Sequence, residues 1–218
     1  MADFTLYIGN KNYSSWSLRG WLMVKASGIA FDEVLIRLRQ PNTKAEVLRH
    51  SPSGRVPALV HGNDRVWESQ AIGEYLAELI PDANLWPRDR AARAVARSVS
   101  TEMHAGFSAL RNHFPMNVRS SFANRASTPE VQADIDRITA MWHDCRARFG
   151  KDGPFLFGSA FSNADAMYAP VVSRFRTYKV ELDAGAQAYC DAVWSYPPMQ
   201  EWAAAAKKEP WIIEDSEF

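Results

Sequence analysis

Phe4-Thr5-Leu6-Tyr7-Ile8 alternates aromatic and aliphatic residues in the way a buried strand does, and Ser14-Ser15-Trp16-Ser17 then opens a segment with Leu18, Trp21, Leu22 and Lys25 at helical spacing. Gly28 stops that helix, and Phe31-Asp32-Glu33-Val34-Leu35-Ile36 reads as a second strand, which completes a βαβ unit with a right-handed crossover. Residues 43–49 carry a short, weak helical pattern. Pro57-Ala58-Leu59-Val60 and Arg65-Val66-Trp67 flank Gly62-Asn63-Asp64 as the two arms of a hairpin, and a helix from Ser69 to Leu79 follows. The order is βαβ, then α, then ββα.

Residues 80–87 change character to a polar connector bounded by two prolines, and strand signals end there. Beyond it, Ile135, Ile138, Trp142, Cys145 and Phe149 recur at +3 and +4, behind a start signal at Ser127-Thr128-Pro129-Glu130. Phe161-Ser162-Asn163-Ala164-Asp165 is a second start, and the spacing of Asp165 from Ser162 makes that acid a capping partner, not a catalytic group. Pro197-Pro198 opens a last helix through Trp202, while the path of residues 211–218 is not set by any pattern. Arg90, Arg93 and Arg97 form a basic stripe at helical spacing, and Met103, His104, Phe107 and Arg111 continue on the same predicted helix. The division expected is 1–80, a connector at 81–87, and an all-helical part at 88–218.

Composition narrows the function. The chain has 218 residues, 47% of them apolar, with 25 basic and 25 acidic side chains, a balance that lacks the basic excess of nucleic-acid binders. There is no leader pattern and no apolar run of about 18 residues, so a cytoplasmic protein without membrane contact is expected. The two cysteines, Cys145 and Cys190, are too far apart and too few for a disulfide framework or a multi-cysteine metal site, and no HExxH-type spacing occurs. Both read as packed thiols.

Two motifs carry candidate chemistry. Glu68-Ser69 stands directly before a helix, behind a strand that starts with proline, so that a carboxylate, a hydroxyl and unpaired amides meet at a helix N-terminus suited to an anion. The competing reading is a simple cap. Ser14 and Ser15 open the first helix, where a hydroxyl serves as a cap, as a donor to a bound anion, or as both.

Taken together, Val56-Pro57, Glu68-Ser69 with Ala71-Ile72 and Glu74-Tyr75-Leu76, and the Ser162-Asn163-Ala164-Asp165 box resemble the glutathione S-transferase family over almost the whole chain. The resemblance implies a thioredoxin-like α/β domain that binds glutathione, followed by an all-α domain lining a second-substrate pocket. It also implies glutathione as co-substrate with no metal, a homodimer, and a detoxifying transferase. The run Ser14-Ser15-Trp16-Ser17-Leu18-Arg19 is similar to the first helix of serine-type members, nearest to the zeta class, and places the active serine on Ser14 with Ser15 in reserve. Zeta members have cysteine where Trp16 stands, so the chain is not assigned to that class. The resemblance further implies a cis Val56-Pro57 bond facing the tripeptide, with Glu68 on the γ-glutamyl ammonium and Ser69 on its carboxylate. Arg55 reaches the glycyl carboxylate in this scheme, with Gln40 and His50 as weaker candidates. Met103, His104, Phe107 and Arg111 border the electrophile site, and the arginine stripe either is solvated or joins two subunits.

Conjugation needs the thiolate, yet a thiol of pKa about 8.5 is only about 3% ionised at neutral pH. Lowering it by two units takes about 2.7 kcal/mol, which one hydroxyl bond to an anion and a helix N-terminus together supply. The expected reaction is glutathione conjugation to a small electrophile. Its alternatives are a zeta-type cis-trans isomerisation of a maleyl diacid and a transferase-shaped binding protein that has lost chemistry.

Overall fold

The computed structural model describes residues 3–218. Strands Phe4–Ile8 (β1), Phe31–Leu35 (β2), Ala58–His61 (β3) and Asp64–Trp67 (β4) form one sheet in the order β2-β1-β3-β4. β1 runs parallel to β2 and antiparallel to β3, with Leu6 opposite Leu59, and β3 and β4 pair as the expected hairpin. Gly62 takes φ 57° in the tight turn between them, a conformation that glycine adopts without a Cβ penalty. Helices Ser15–Ser27 (α1), Thr43–Leu48 (α2) and Ser69–Leu79 (α3) complete this half. Its βαβ-α-ββα order is the one the periodicity predicts.

The connector holds a single 3₁₀ turn, Pro81–Ala83, before helices Arg90–Ala105 (α4), Ser108–His113 (α5), Pro129–Phe149 (α6), Asn163–Thr177 (α7), Ala184–Ser195 (α8) and Pro197–Lys208 (α9). α7 is buried along nearly its whole length and forms the axis of this half. It is also the seam with the sheet half: Asn163 Nδ2 donates to the Gly73 carbonyl of α3 at 3.0 Å, and Arg19 Nε of α1 donates to the Met167 carbonyl at 2.9 Å. One apolar cluster therefore runs from Leu6, Leu22 and Ile72 to Met103, Trp142 and Met167 without a break.

The capping box at Ser162 forms: Asp165 accepts the Ser162 N–H at 2.9 Å and its hydroxyl at 2.7 Å, and also takes the Leu156 N–H and the Tyr189 hydroxyl. Burial still pushes the Asp165 carboxyl above its ordinary range, against those four donors. Cys145 and Cys190 are both buried thiols, pushed up to about 12 by desolvation. Arg97 of the basic stripe forks onto Glu74 with two 2.8 Å bonds and so ties α4 to α3, and Arg93 donates to the Pro87 and Arg88 carbonyls. No helix among the described residues is long and apolar enough to cross a membrane.

One expectation fails. α4 does not continue through Phe107 and Arg111 but ends at Ala105. Gly106 is extended, a Cβ on it would lie 2.9 Å from the Glu102 carbonyl oxygen, and Phe107 takes a left-handed φ of 61° before α5 starts. Arg111 therefore sits on α5, and its guanidinium turns back to the Gly106, Met103 and His104 carbonyls, knitting the break together.

Residues 209–217 take a path that local pattern did not show. The Glu209 carboxylate accepts the Lys11 and Asn12 N–H groups at 2.6 and 3.1 Å, and the Tyr13 hydroxyl donates to Glu217 at 2.5 Å. Arg119 donates to both the Tyr13 hydroxyl and Glu217. This segment thus straps the loop that leads into Ser14.

Candidate functional site

A cleft of ≈ 460 Å³ opens between the two halves, and Ser14, Arg55, Val56, Pro57, Glu68 and His104 of the expected residues line it. Ser14 and Glu68 cap helices, His104 lies in the last turn of α4, and Arg55, Val56 and Pro57 lie in the loop that leads into β3. Ser14 is the N-cap of α1: its Oγ accepts the Ser17 N–H at 3.3 Å and its hydroxyl donates to Ser17 Oγ at 2.8 Å. Ser17 Oγ in turn accepts the Gly9 N–H at 2.9 Å, so β1 holds Ser17 and Ser17 holds Ser14. The Ser14 hydroxyl can leave Ser17 for an anion in the cleft, because Ser17 can then donate its own hydroxyl back to Ser14. Ser15 is buried in the first turn and lies off the cleft wall.

The Val56-Pro57 bond is cis, as the resemblance implies. Pro57 reaches its place because Gly20 of α1 lacks a side chain: a Cβ there would stand 2.8 Å from Pro57 Cγ. Glu68 is the N-cap of α3, but neither it nor Ser69 makes a side-chain cap bond, so the simple capping reading does not hold for this pair. Glu68 instead has φ 67° and ψ 128°, a backbone state that costs a non-glycine residue about 1–3 kcal/mol and that gathers at functional sites. Its carboxylate lies 3.7 Å from His104 Nε2. Ser69 is fully buried, its hydroxyl 3.8 Å from Met167 Sδ.

His104 is held below its ordinary pKa by burial, with Arg19 and Arg111 acting in the same direction and Glu68 against it. It is therefore largely uncharged at neutral pH, and Glu68 remains available to a cation. Arg55 lines the mouth with its side chain exposed.

Not every expected residue joins the site. Gln40 turns its amide onto the Leu38 carbonyl within its own loop, and His50 stacks on Tyr7 at 3.9 Å. Met103 and Phe107 are core residues, and Arg111 stands behind Trp16 instead of on the wall. Conversely, Trp16, Leu38, Thr43, Val47 and Gly54 line the cleft without having been singled out for it. Ser17, the support of Ser14, was legible as a polar residue three places after a cap. Arg19 was legible only as a charged residue amid the apolar positions Leu18, Trp21 and Leu22. Among the described residues no group of three or more His, Cys, Asp or Glu side chains is placed to hold a metal ion.

Comparison with known proteins assigns both halves of the chain to one family. Residues 13–79 match the family described as glutathione S-transferase, N-terminal domain, and residues 93–205 match glutathione S-transferase, C-terminal domain. Maleylacetoacetate isomerase of Rattus norvegicus is 29% identical over 81% of this chain and 80% of that protein. A probable maleylacetoacetate isomerase of Caenorhabditis elegans is 32% identical over 81% of each. In fold, the chain is similar to a glutathione transferase homologue from Burkholderia solved with bound glutathione, with a TM-score of 0.71 and 23% identity over 94% of this chain and 98% of that one. Both halves of the chain are thus matched, the sheet half and the helical half joined to it along α7, and the chain belongs to the glutathione S-transferase family.

Proposed function

We propose that the cleft takes glutathione as substrate, holds it as the thiolate on Ser14, and conjugates it to a small electrophile. The observation that carries this reading is the Ser14 hydroxyl, set at a helix N-terminus on the wall of the same cleft as Val56-Pro57 and Glu68. A thiolate there receives one charge-assisted hydrogen bond and the partial positive charge of α1. Glu68 takes the γ-glutamyl ammonium. The γ-glutamyl carboxylate goes to the first turn of α3, which no side chain caps and to which Ser69 contributes its backbone. Arg55 receives the glycyl carboxylate.

In the reaction the thiol proton leaves to solvent and the sulfur lone pair forms a C–S bond at the electrophilic carbon. The bond to the leaving group breaks with its electron pair, as chloride does from an activated chloroarene. Positioning the two reactants matters as much as acidity, because a less basic thiolate is also less nucleophilic. We place the reaction in a cytosolic homodimer on the strength of the family resemblance.

A second reading is favoured by the two isomerases named above: the thiolate adds to a cis double bond, the resulting single bond rotates, and the thiolate leaves. It uses the same sulfur, and the substrate loses no group because the thiolate itself is expelled when the double bond re-forms. The two are separated by incubating the enzyme with glutathione and either chlorodinitrobenzene or a maleyl diacid. Conjugation predicts release of chloride and consumption of glutathione, whereas isomerisation predicts turnover of the diacid with glutathione unchanged. Absence of both activities, together with no retention on immobilised glutathione, would falsify the assignment.

A further inference from the structure

Three side chains gather on the indole of Trp16, which lines the cleft. The guanidinium carbons of Arg19 and Arg111 lie 4.6 and 4.8 Å from its ring centroid, and the His104 ring meets it edge-on at 5.0 Å. Arg19 is fully buried, and its Nε is satisfied by Met167, but Nη1 and Nη2 have no protein partner. Nor has the buried Nδ1 of His104. Neither Arg19 nor Arg111 forms an ion pair among the described residues. Arg174, also buried, gives its donors to the Phe114 and Pro170 carbonyls and adds a further positive charge to the group. The nearby acids do not pair with these guanidinium groups: Glu68 lies 3.7 Å from His104 Nε2, and Asp134 accepts the Leu110 N–H at 2.9 Å.

A lone buried guanidinium is costly, and buried donors in native proteins almost always have partners, which include bound ligands and water. The planar fork of arginine matches a carboxylate in two parallel bonds. We infer that the cleft wall at Trp16 is a carboxylate subsite for the second substrate, with Arg19 as its principal donor and Arg111 and His104 as its flanks. Arg19 and Arg111 lie behind the half-buried Trp16 and not on the cleft wall itself, so the incoming group reaches them only if the indole moves aside. This rests on the transferase reading and narrows it, selecting anionic electrophiles. Trp16 and Arg19 belong to α1 of the sheet half, but Arg111 and His104 meet the indole from α5 and α4, so the subsite sits where the helical half closes on α1, and its carboxylate is assigned to the second substrate.

The test compares wild type with Arg19→Met and Arg111→Met, near-isosteric changes that remove a buried charge; because Arg19 also donates to the Met167 carbonyl and Arg111 to the Gly106 carbonyl, a thermal melt and turnover of the methyl ester check that each variant is folded. Each is assayed for glutathione conjugation to a chlorodinitrobenzoate and to its methyl ester, with each kcat/KM divided by the uncatalysed rate. Wild type should prefer the acid, and the preference should fall about tenfold to a hundredfold in each variant, the worth of one charge-assisted hydrogen bond. Succinate should raise the melting temperature of glutathione-loaded wild type but not of Arg19→Met. Equal preference in all three proteins with no succinate shift overturns the subsite and leaves conjugation standing. Weaker glutathione binding in Arg19→Met, with the preference unchanged, assigns the arginine to glutathione's own carboxylate and also overturns it. If wild type turns over neither compound, the conjugation reading falls, and the succinate shift alone decides for or against the subsite.

Discussion

On the reading proposed above, replacing Ser14 by alanine removes two functions of one hydroxyl, and the structure lets them be measured apart. The first is donation to the thiolate. A hydrogen bond to a charged group contributes about 1.5–3 kcal/mol, and at about 1.36 kcal/mol per pKa unit its loss raises the bound thiol by about one to two units. The second is the N-cap of α1, where Ser14 Oγ accepts the Ser17 N–H. Losing a serine cap costs about 0.5–2 kcal/mol, which for a chain of this size lowers the melting temperature by roughly 1–8 °C. The assay is the ultraviolet absorbance of enzyme-bound thiolate against pH, with a thermal melt of the same sample. Ser15→Ala is the control, since Ser15 lies off the cleft and should leave the thiol titration in place. A Ser14→Ala protein that melts lower yet titrates as wild type would show that Ser14 only caps the helix. A shift in Ser15→Ala instead would move the role one residue along.

Gly20→Ala places a methyl group 2.8 Å from Pro57 Cγ; overpacking costs about 1–3 kcal/mol and alanine returns up to about 1 kcal/mol of helix propensity. The net should be a melting temperature lower by roughly 2–4 °C per kcal/mol lost and weaker glutathione binding, and an unchanged affinity would refute the close approach as a determinant of the site. Glu68→Gln should raise the KM for glutathione about tenfold with kcat little changed, since the ion pair it proposes is made in the ground state and the transition state alike; a fall in kcat alone would argue against that role. Burial lowers the folded-state pKa of His104 below 6.5, so the unfolded chain binds its proton more readily. This contribution to stability is present above 6.5 and is lost as pH falls through the folded-state value, and His104→Gln should flatten that part of the melting curve against pH. A parallel slope in wild type and variant would remove His104 as its source.

Signals that act within a few residues were legible in advance. The helix Ser69–Leu79, the Gly62 turn and the Ser162-Asp165 box are set by propensity, turn chemistry and caps, and each falls where the residues place it. The Ser14 cap was legible for the same reason, since a hydroxyl before an apolar helix is a local pattern. α4 was extended too far because its periodicity runs on past Gly106, a residue that helices tolerate; only the packing of Glu102 and the return of Arg111 onto the last turn show that the helix stops.

Contacts distant in the chain remained hidden. Nothing near Lys11 announces Glu209, 198 residues away, as the acceptor of its N–H, and nothing near Arg19 announces that Met167 will take one of its donors and leave the others bare. Local free energy, in short-range hydrogen bonds and side-chain periodicity, determines which segments become strands and helices and where a cap will stand. Burial and electrostatic field are properties of the assembled chain, so the suppressed protonation of His104, the absent cap at Glu68 and the unpaired guanidinium beneath Trp16 exist only once α1, α4 and α7 have packed together.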